Sequence, residues 1–592
     1  MAKGRGRGSL IRIARKTVGI PEHNYKALEE LMDEIWEDVL QTSPELATML
    51  GYHKYDGQVS EVGVEAEKRK RETAVKFMTK LLDKFPKSLE EHRAKTWTLD
   101  QRVTLSIVEY RLQKVIKEHD MKLYMWCMDS MRSPLSMWPQ LIAKMNFKTT
   151  SDFELYRDRI SKIPAQLEQY CILLQTGLKH KVTPPRVAVE PLIAQAFKLV
   201  ASVPSPFHKV VDDNFSASGA PVRLRAEIEE LIDTQLLPAF TRLGEFLDTQ
   251  YVPYLSTEIS VTKRCANGDE LYEALVESYT TTNLTAKEIH KIGLGEVDRI
   301  MRTMKKIAKS QGFHSVNEYQ EHLDANFYYK TEEELLDYYM TVAMKIAPKL
   351  PTVIGKLPRT PFGIKAIPEY MAASAPAAYY ERPPNDLSRA GFFSLNTHKP
   401  ETRKTYISNA LVLHEGCPGH HLQLSLSAEN GNVHPLRKNT HFTALVEGWG
   451  LYCEYLGHEM GMYEKPEQHY GRLVIEMMRA CRLVVDTGMN GDLGWTKDGS
   501  MEYMLKKNAG SPGDLDSETT RYVAMPGQAL SYKIGEIKIK ELRARAEEAL
   551  GDSFDLRKFH DLILELGAVP LSTLDELVQD WINGHILAVS RK

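Results

Sequence analysis

A chain of 592 residues exceeds what one hydrophobic core normally serves, and 43% hydrophobic content is enough to fill two or more packed subdomains. Its 76 Lys and Arg against 79 Asp and Glu leave a formal charge of −3, too little for a global field that would recruit nucleic acid or an anionic membrane. Six scattered cysteines without a CxxC pair, no secretory signal and no run of the ~20 apolar residues a bilayer demands lead us to expect a cytoplasmic protein without nucleic-acid or membrane partners.

Residues 1–20 carry Lys3, Arg5, Arg7, Arg12, Arg15 and Lys16 with no acid before Glu22, and Gly4, Gly6 and Gly8 oppose a helix, so a disordered basic tail is expected. From Tyr25 to about Gln175, apolar residues return at three- and four-residue spacing between charges, the mark of amphipathic helices. Residues 21–265 are expected to form an N-terminal helical subdomain and 266–592 a C-terminal one. Pro-bearing stretches at 183–191 and 349–384 interrupt the helical text and read as structured connectors. Helices resume at 285–307, where Thr285 and Glu288 fit a capping box, and at TEEELLDYYMTVAMKIA (331–347). The aromatic run AGFFSLNT (390–397) is the clearest strand. No short-period repeat is present, so the fold class expected is mainly α, one large multi-helix assembly with a small β element.

The segment TYISNALVLHEGCPGHHLQLSL (405–426) sets His414 and Glu415 inside an apolar run. Seven of the 19 histidines fall between 414 and 469. Clustered histidines beside a glutamate suggest a metal. In zinc-peptidase logic two histidines of one helix bind zinc, and the Glu after the first activates the attacking water. The usual spacing fails here, because the fourth residue after His414 is Pro418. His420 and His421 are the next candidates, and Pro418 with Gly419 would supply the bulge either requires. Glu447 is the expected third ligand. It stands in the apolar first half of FTALVEGWGLYCEYLGHEM (442–460), where no Lys or Arg is present to neutralise it. Glu454 and Glu459 are weaker rivals. Each feature alone has a bland explanation in core packing or a salt bridge, but together they converge on a metal site.

The blocks HEGCPGHHLQ (414–423), EGWGLYCE (447–454), CRLVVDTG (481–488) and RYVAMPGQALSYKIG (521–535) resemble those of domain-of-unknown-function family 885, and the likeness runs over about residues 25–585. That family is similar to helical zinc peptidases of the gluzincin type. The resemblance implies a zincin-like fold with a substrate cleft, and a strand near the motif helix that pairs with extended substrate. It also implies one zinc ion per chain on His414, His420 and Glu447, with Glu415 as general base and peptide or amide hydrolysis as the reaction. His420 is preferred because family members keep PGH, which leaves His421 as the alternate ligand or a substrate contact.

Tyr522 and Tyr532, flanking the PGQ block that contains Gln528, are candidate oxyanion donors. Arg521 and Arg482 are candidate holders of a substrate carboxylate, or equally partners of Glu518 or Asp486. One departure is Asn490, which stands where the family pattern suggests a histidine. Cys417 reads as a small packed side chain. The expected partner is a peptide or small amide, and a homodimer is allowed for. Two rival functions are a zinc enzyme of a small specialised non-peptide substrate and a catalytically weak peptide-binding scaffold.

Overall fold

Where the sequence repeats apolar residues every three or four positions, the computed structural model of the chain forms helices; it describes residues 22–86, 96–367, 377–383, 389–431, 433–565 and 567–589. The basic tail lies outside the described residues. Helices Glu22–Thr42, Val64–Lys84 and Leu99–Asp120 gather Leu28, Leu31, Trp36, Phe77, Leu81 and Leu112 into one apolar cluster. A second cluster, around Trp138, Tyr156, Phe207 and Phe240, is drawn from residues 128–255. The C-terminal half builds two more, and one of these also takes in Val103, Ile107 and Trp126.

The capping box expected at Thr285 is formed: its side chain accepts from the Glu288 amide, and the Glu288 side chain accepts from the Thr285 amide. It opens the helix Ala286–Ser310, which lies along the helix Pro466–Asn490. Gly293 permits that approach, since a Cβ there would stand 2.7 Å from Leu483. Burial continues along almost the whole of Pro466–Asn490, so its polar residues must find partners inside the protein. Among the described residues one stretch, Arg186–Ala217, passes by length and composition for a membrane span, with a mean hydropathy of 1.3 over its 18-residue window. It runs as the short helices Arg186–Val189, Pro191–Ala201 and Pro206–Asn214, with a proline opening the second and third.

Three strands form one sheet: β1 (Phe362–Ala366), β2 (Ala378–Glu381) and β3 (Gly391–Leu395), in the order β1-β3-β2. The aromatic run expected to be a strand is β3. It pairs in parallel with β1, Phe362 opposite Gly391, and antiparallel with β2, Ala378 opposite Leu395. Both of its edges are therefore taken. The expectation that this strand pairs with extended substrate is corrected, since only β1 and β2 have an outer edge.

The helices Thr443–Leu456 and Ser531–Leu550 cross at glycines: a Cβ on Gly448 would meet the Gly535 backbone at 2.5 Å. They run in the same direction, for further along Lys540 lies over the Tyr455 ring and Arg543 reaches the Tyr452 hydroxyl at 3.0 Å.

Candidate metal centre

The apolar run that carries His414 forms the helix Ser408–Glu415, which stops at Gly416. A second helix, His420–Glu429, begins after Pro418 and Gly419. The bulged single helix expected from the spacing is thus corrected to two helices joined by a tight connection. Pro418 has no amide hydrogen to continue the first helix. At Gly419 a Cβ would collide with the carbonyl oxygens of Leu413 and His414, so only glycine lets the chain fold back this closely. The Trp449 indole N–H donates to the Pro418 carbonyl at 2.9 Å and holds the connection against the next helix.

This fold-back brings the two imidazoles together, with ring centroids 4.7 Å apart and planes at 85°. Glu447, on the Thr443–Leu456 helix, completes the group. Its Oε2 lies 3.5 Å from His414 Nε2 and 3.4 Å from His420 Nε2, and one ligand atom from each of the three residues lies within 4.8 Å of the others. Zinc ligands at ~2.0–2.1 Å in tetrahedral array stand roughly 3.3–3.4 Å from one another, so two nitrogens and a carboxylate oxygen at these separations fit an ion of that size. His414 and His420 are buried, and the Glu447 side chain is 18% exposed.

Glu454 was ranked as a rival ligand, yet it faces the other side of His414: Nδ1 donates to Glu454 Oε1 at 2.8 Å. Seven residues separate Glu447 from Glu454, two helical turns, which sets both carboxylates on the face that meets His414. Burial disfavours the charged imidazole, but hydrogen bonds to Glu447 and Glu454 outweigh it and push His414 up to about 10. Burial likewise disfavours an ionised Glu447, and the two histidines reverse this, holding it well below the usual carboxylate range. Gly450 is required by the same contact, because a Cβ there would stand 2.8 Å from the His414 ring. Glu459, the other rival, is bound by Arg543 at 2.8 and 2.9 Å.

Glu415 follows His414 directly and is half-buried, and its carboxylate makes no hydrogen bond or ion pair among the described residues. His421 turns away from the group: its Nδ1 lies 2.9 Å from the Tyr380 hydroxyl of β2, its ring packs on Phe362 of β1, and burial lowers it to about 4. Cys417 is half-buried, and burial pushes its thiol up to about 12.

The tyrosines differ. The Tyr522 hydroxyl is fully buried, donating to Glu518 at 2.6 Å and accepting from Arg482 Nε at 2.9 Å. Tyr532 makes no such bond; Arg482, Arg479 and Arg521 stand 4.3, 5.8 and 5.9 Å from its ring centre. Arg482 and Arg521 both reach Glu518, at 2.6 and 3.3 Å. Gln528 opens the turn that precedes Ser531–Leu550, held by the Gly527 amide bonding Asp486 at 3.0 and 3.1 Å. Asn490 is fully buried, with its Nδ2 donating to the Tyr522 carbonyl at 3.1 Å. It secures the core there.

Two surface hollows, of about 480 Å³ beside Met78 and Gln113 and about 320 Å³ beside Trp495 and Tyr503, include no residue of the His-His-Glu group.

The chain belongs to the family described as bacterial protein of unknown function, domain of unknown function 885, whose model matches residues 44–578. It is similar to a crystal structure from Colwellia psychrerythraea, provisionally described as a lipoprotein, at 25% identity and TM-score 0.86, covering 95% of this chain and 100% of that one. A protein of unknown function from Shewanella oneidensis, provisionally described in the same way, is 19% identical with TM-score 0.75 over 93% of this chain and 99% of that one. Metallocarboxypeptidase 1 of Trypanosoma cruzi aligns at 11% identity and TM-score 0.33, over 94% of this chain and 95% of that one. No curated protein matches.

Proposed function

We propose that this protein is a zinc-dependent hydrolase of peptide or amide bonds. The observation that carries this is the convergence of His414, His420 and Glu447, with the His nitrogens 3.5 and 3.4 Å from the carboxylate oxygen. Two imidazoles, which zinc binds with loss of their proton, and a carboxylate are donors suited to zinc, and three protein ligands leave a fourth position for water or substrate. When bound, zinc polarises the scissile carbonyl and makes the attacking water more acidic. Glu415 takes the proton of that water and returns it to the leaving amine, a task suited to a carboxylate without competing partners. Tyr532 donates to the oxyanion; the Tyr522 hydroxyl is already committed to Glu518. Glu454 holds the His414 ring in position through Nδ1.

Elemental analysis of the purified chain is expected to find near one zinc per molecule, absent from His414→Ala and Glu447→Ala. Glu415→Gln is expected to keep the metal and lose about 100-fold or more in turnover on any peptide the parent cleaves. A parent that neither carries zinc nor takes it up would overturn the proposal, and so would a fully active Glu415→Gln.

A further inference from the structure

In one buried network of the C-terminal half each cation is bonded to a carboxylate, Arg299 to Glu296 and Glu476 among them, whereas in its neighbour one cation is not. In the first, Lys533 bonds Glu296, Glu476 and Glu536, Arg472 bonds Glu476, and Lys540 bonds Glu536. Every cation there has a carboxylate. In the second, Arg479, Arg482 and Arg521 surround the Tyr532 ring, and Glu518 is bonded by Arg482 and Arg521 but not by Arg479. Asp486, which feels the charge of Arg521, is already bonded by Tyr272 and the Gly527 amide.

Arg479 is the residue in excess. It is 8% exposed, and its one polar contact among the described residues is to the Met478 sulfur at 3.6 Å. Its Nε, Arg482 Nη1 and Arg521 Nε are all buried donors without an acceptor there. Buried guanidiniums normally face carboxylates or phosphates, because their fork of N–H groups loses water that only an anion replaces well. Arg521 keeps 21% of its side chain exposed, so the cluster is not sealed from solvent.

The helix that carries Tyr532 also packs on the helix that carries Glu447. Tyr532 lies one helical turn, a rise of about 5 Å, before Gly535, whose backbone abuts Gly448, the residue next to Glu447. Since the two helices run in parallel, Tyr532 is level with the start of the Glu447 helix. Both side chains tilt toward their helix N-termini.

Resting on the hydrolase reading above, we infer that Arg479, Arg482 and Arg521 form a carboxylate-binding subsite that receives the free C-terminus of a short peptide, so that the enzyme trims peptides from that end. The argument for an α-carboxylate is geometric: a planar two-oxygen anion suits a fork of guanidiniums, and a subsite around Tyr532, whose helix packs on that of Glu447, would hold the end of the substrate next to the scissile bond.

The test is calorimetric titration of the full chain with benzoyl-glycine and with its carboxamide, both zinc-loaded and after metal removal. The acid is expected to bind at least about tenfold more tightly than the amide, with and without metal, and Arg479→Met is expected to remove that preference. Arg521→Lys, which keeps the charge and loses the fork, is the second variant should Arg479→Met fail to fold; it is expected to weaken the acid by a similar factor. Equal affinity for acid and amide would overturn the inference, as would a preference that survives both substitutions. So would acid binding seen only with zinc present, since the metal would then be the acceptor. Comparable binding of inorganic phosphate, or of acetyl-aspartate diamide with only a side-chain carboxylate, would replace the C-terminus with a general anion site. Because the metal-free titration needs no turnover, failure of the hydrolase proposal and failure of the subsite are separately visible.

Discussion

Glu454 and Glu447 grip the two nitrogens of one imidazole: His414 Nδ1 donates to Glu454 at 2.8 Å, while Nε2 lies 3.5 Å from Glu447. The first contact keeps the proton on Nδ1, so that a metal would displace the proton on Nε2 and bind there. Glu454→Ala would strand a buried N–H and release the ring. Zinc affinity is expected to fall about 10–100-fold with helical content unchanged, measured by competition with a chromophoric chelator. An affinity within twofold of the parent would show that Glu454 does not orient the ligand.

Two glycines of the same helix separate site from scaffold. A Cβ on Gly450 would press on the His414 ring at 2.8 Å, whereas one on Gly448 would press on the Gly535 backbone at 2.5 Å. Alanine favours helix over glycine by about 1 kcal/mol, so neither change harms the helix itself. Gly450→Ala is expected to lose zinc with little loss of stability in the metal-free protein. Gly448→Ala should cost about 1–3 kcal/mol in urea unfolding while the ligands keep their arrangement.

The helical architecture and the metal group were largely legible in the sequence, for a physical reason: amphipathic spacing is local, and charged or metal-binding side chains set in apolar text need partners. His414 stood out as a histidine beside a glutamate in apolar text and Glu447 because no Lys or Arg nearby could neutralise it, while His420 was preferred over His421 on the family resemblance. The role of Glu454 was hidden, although its two-turn spacing from Glu447 was a usable signal, because it depends on which side of His414 each carboxylate approaches. Strands β1 and β2 lay in text read as connectors, since their register comes from pairing with β3 and not from their own periodicity. Arg479 was missed for a similar reason: an arginine in a helical sequence becomes notable only once the fold withholds an acid from it. Asn490, noted as a departure from the histidine of the family pattern, is a buried bracket for the Tyr522 carbonyl, a contact between distant segments.

Tyr522 and Tyr532 should part in kinetics. Tyr522→Phe removes a hydroxyl bonded to both Glu518 and Arg482, so stability is expected to fall by about 1–3 kcal/mol while kcat on a cleaved peptide changes little. Tyr532→Phe removes a hydroxyl with no such bond, and stability should stay within about 0.5 kcal/mol. Its kcat is expected to drop about 100-fold if it donates to the oxyanion. A reversal of this pattern would exchange the two roles.

Asp486 makes stability depend on pH in the direction opposite to most carboxylates. Burial pushes it from an ordinary 3.8 up to about 7, only partly offset by the Tyr272 hydroxyl and the Gly527 amide. Between those values the folded protein binds more protons than the unfolded chain, so this group's contribution is full below pH 4 and is lost as pH rises through about 7. Acting alone it would be worth on the order of 4 kcal/mol across that window. Asp486→Asn preserves an acceptor oxygen for Tyr272 and Gly527 and cannot titrate. The difference in unfolding free energy between parent and variant should therefore shift in the variant's favour from pH 4 to pH 8, read by urea melts at several pH values. A difference that stays flat across the range would mean that Asp486 is ionised throughout, and that the Gly527 turn rests on a permanent buried charge.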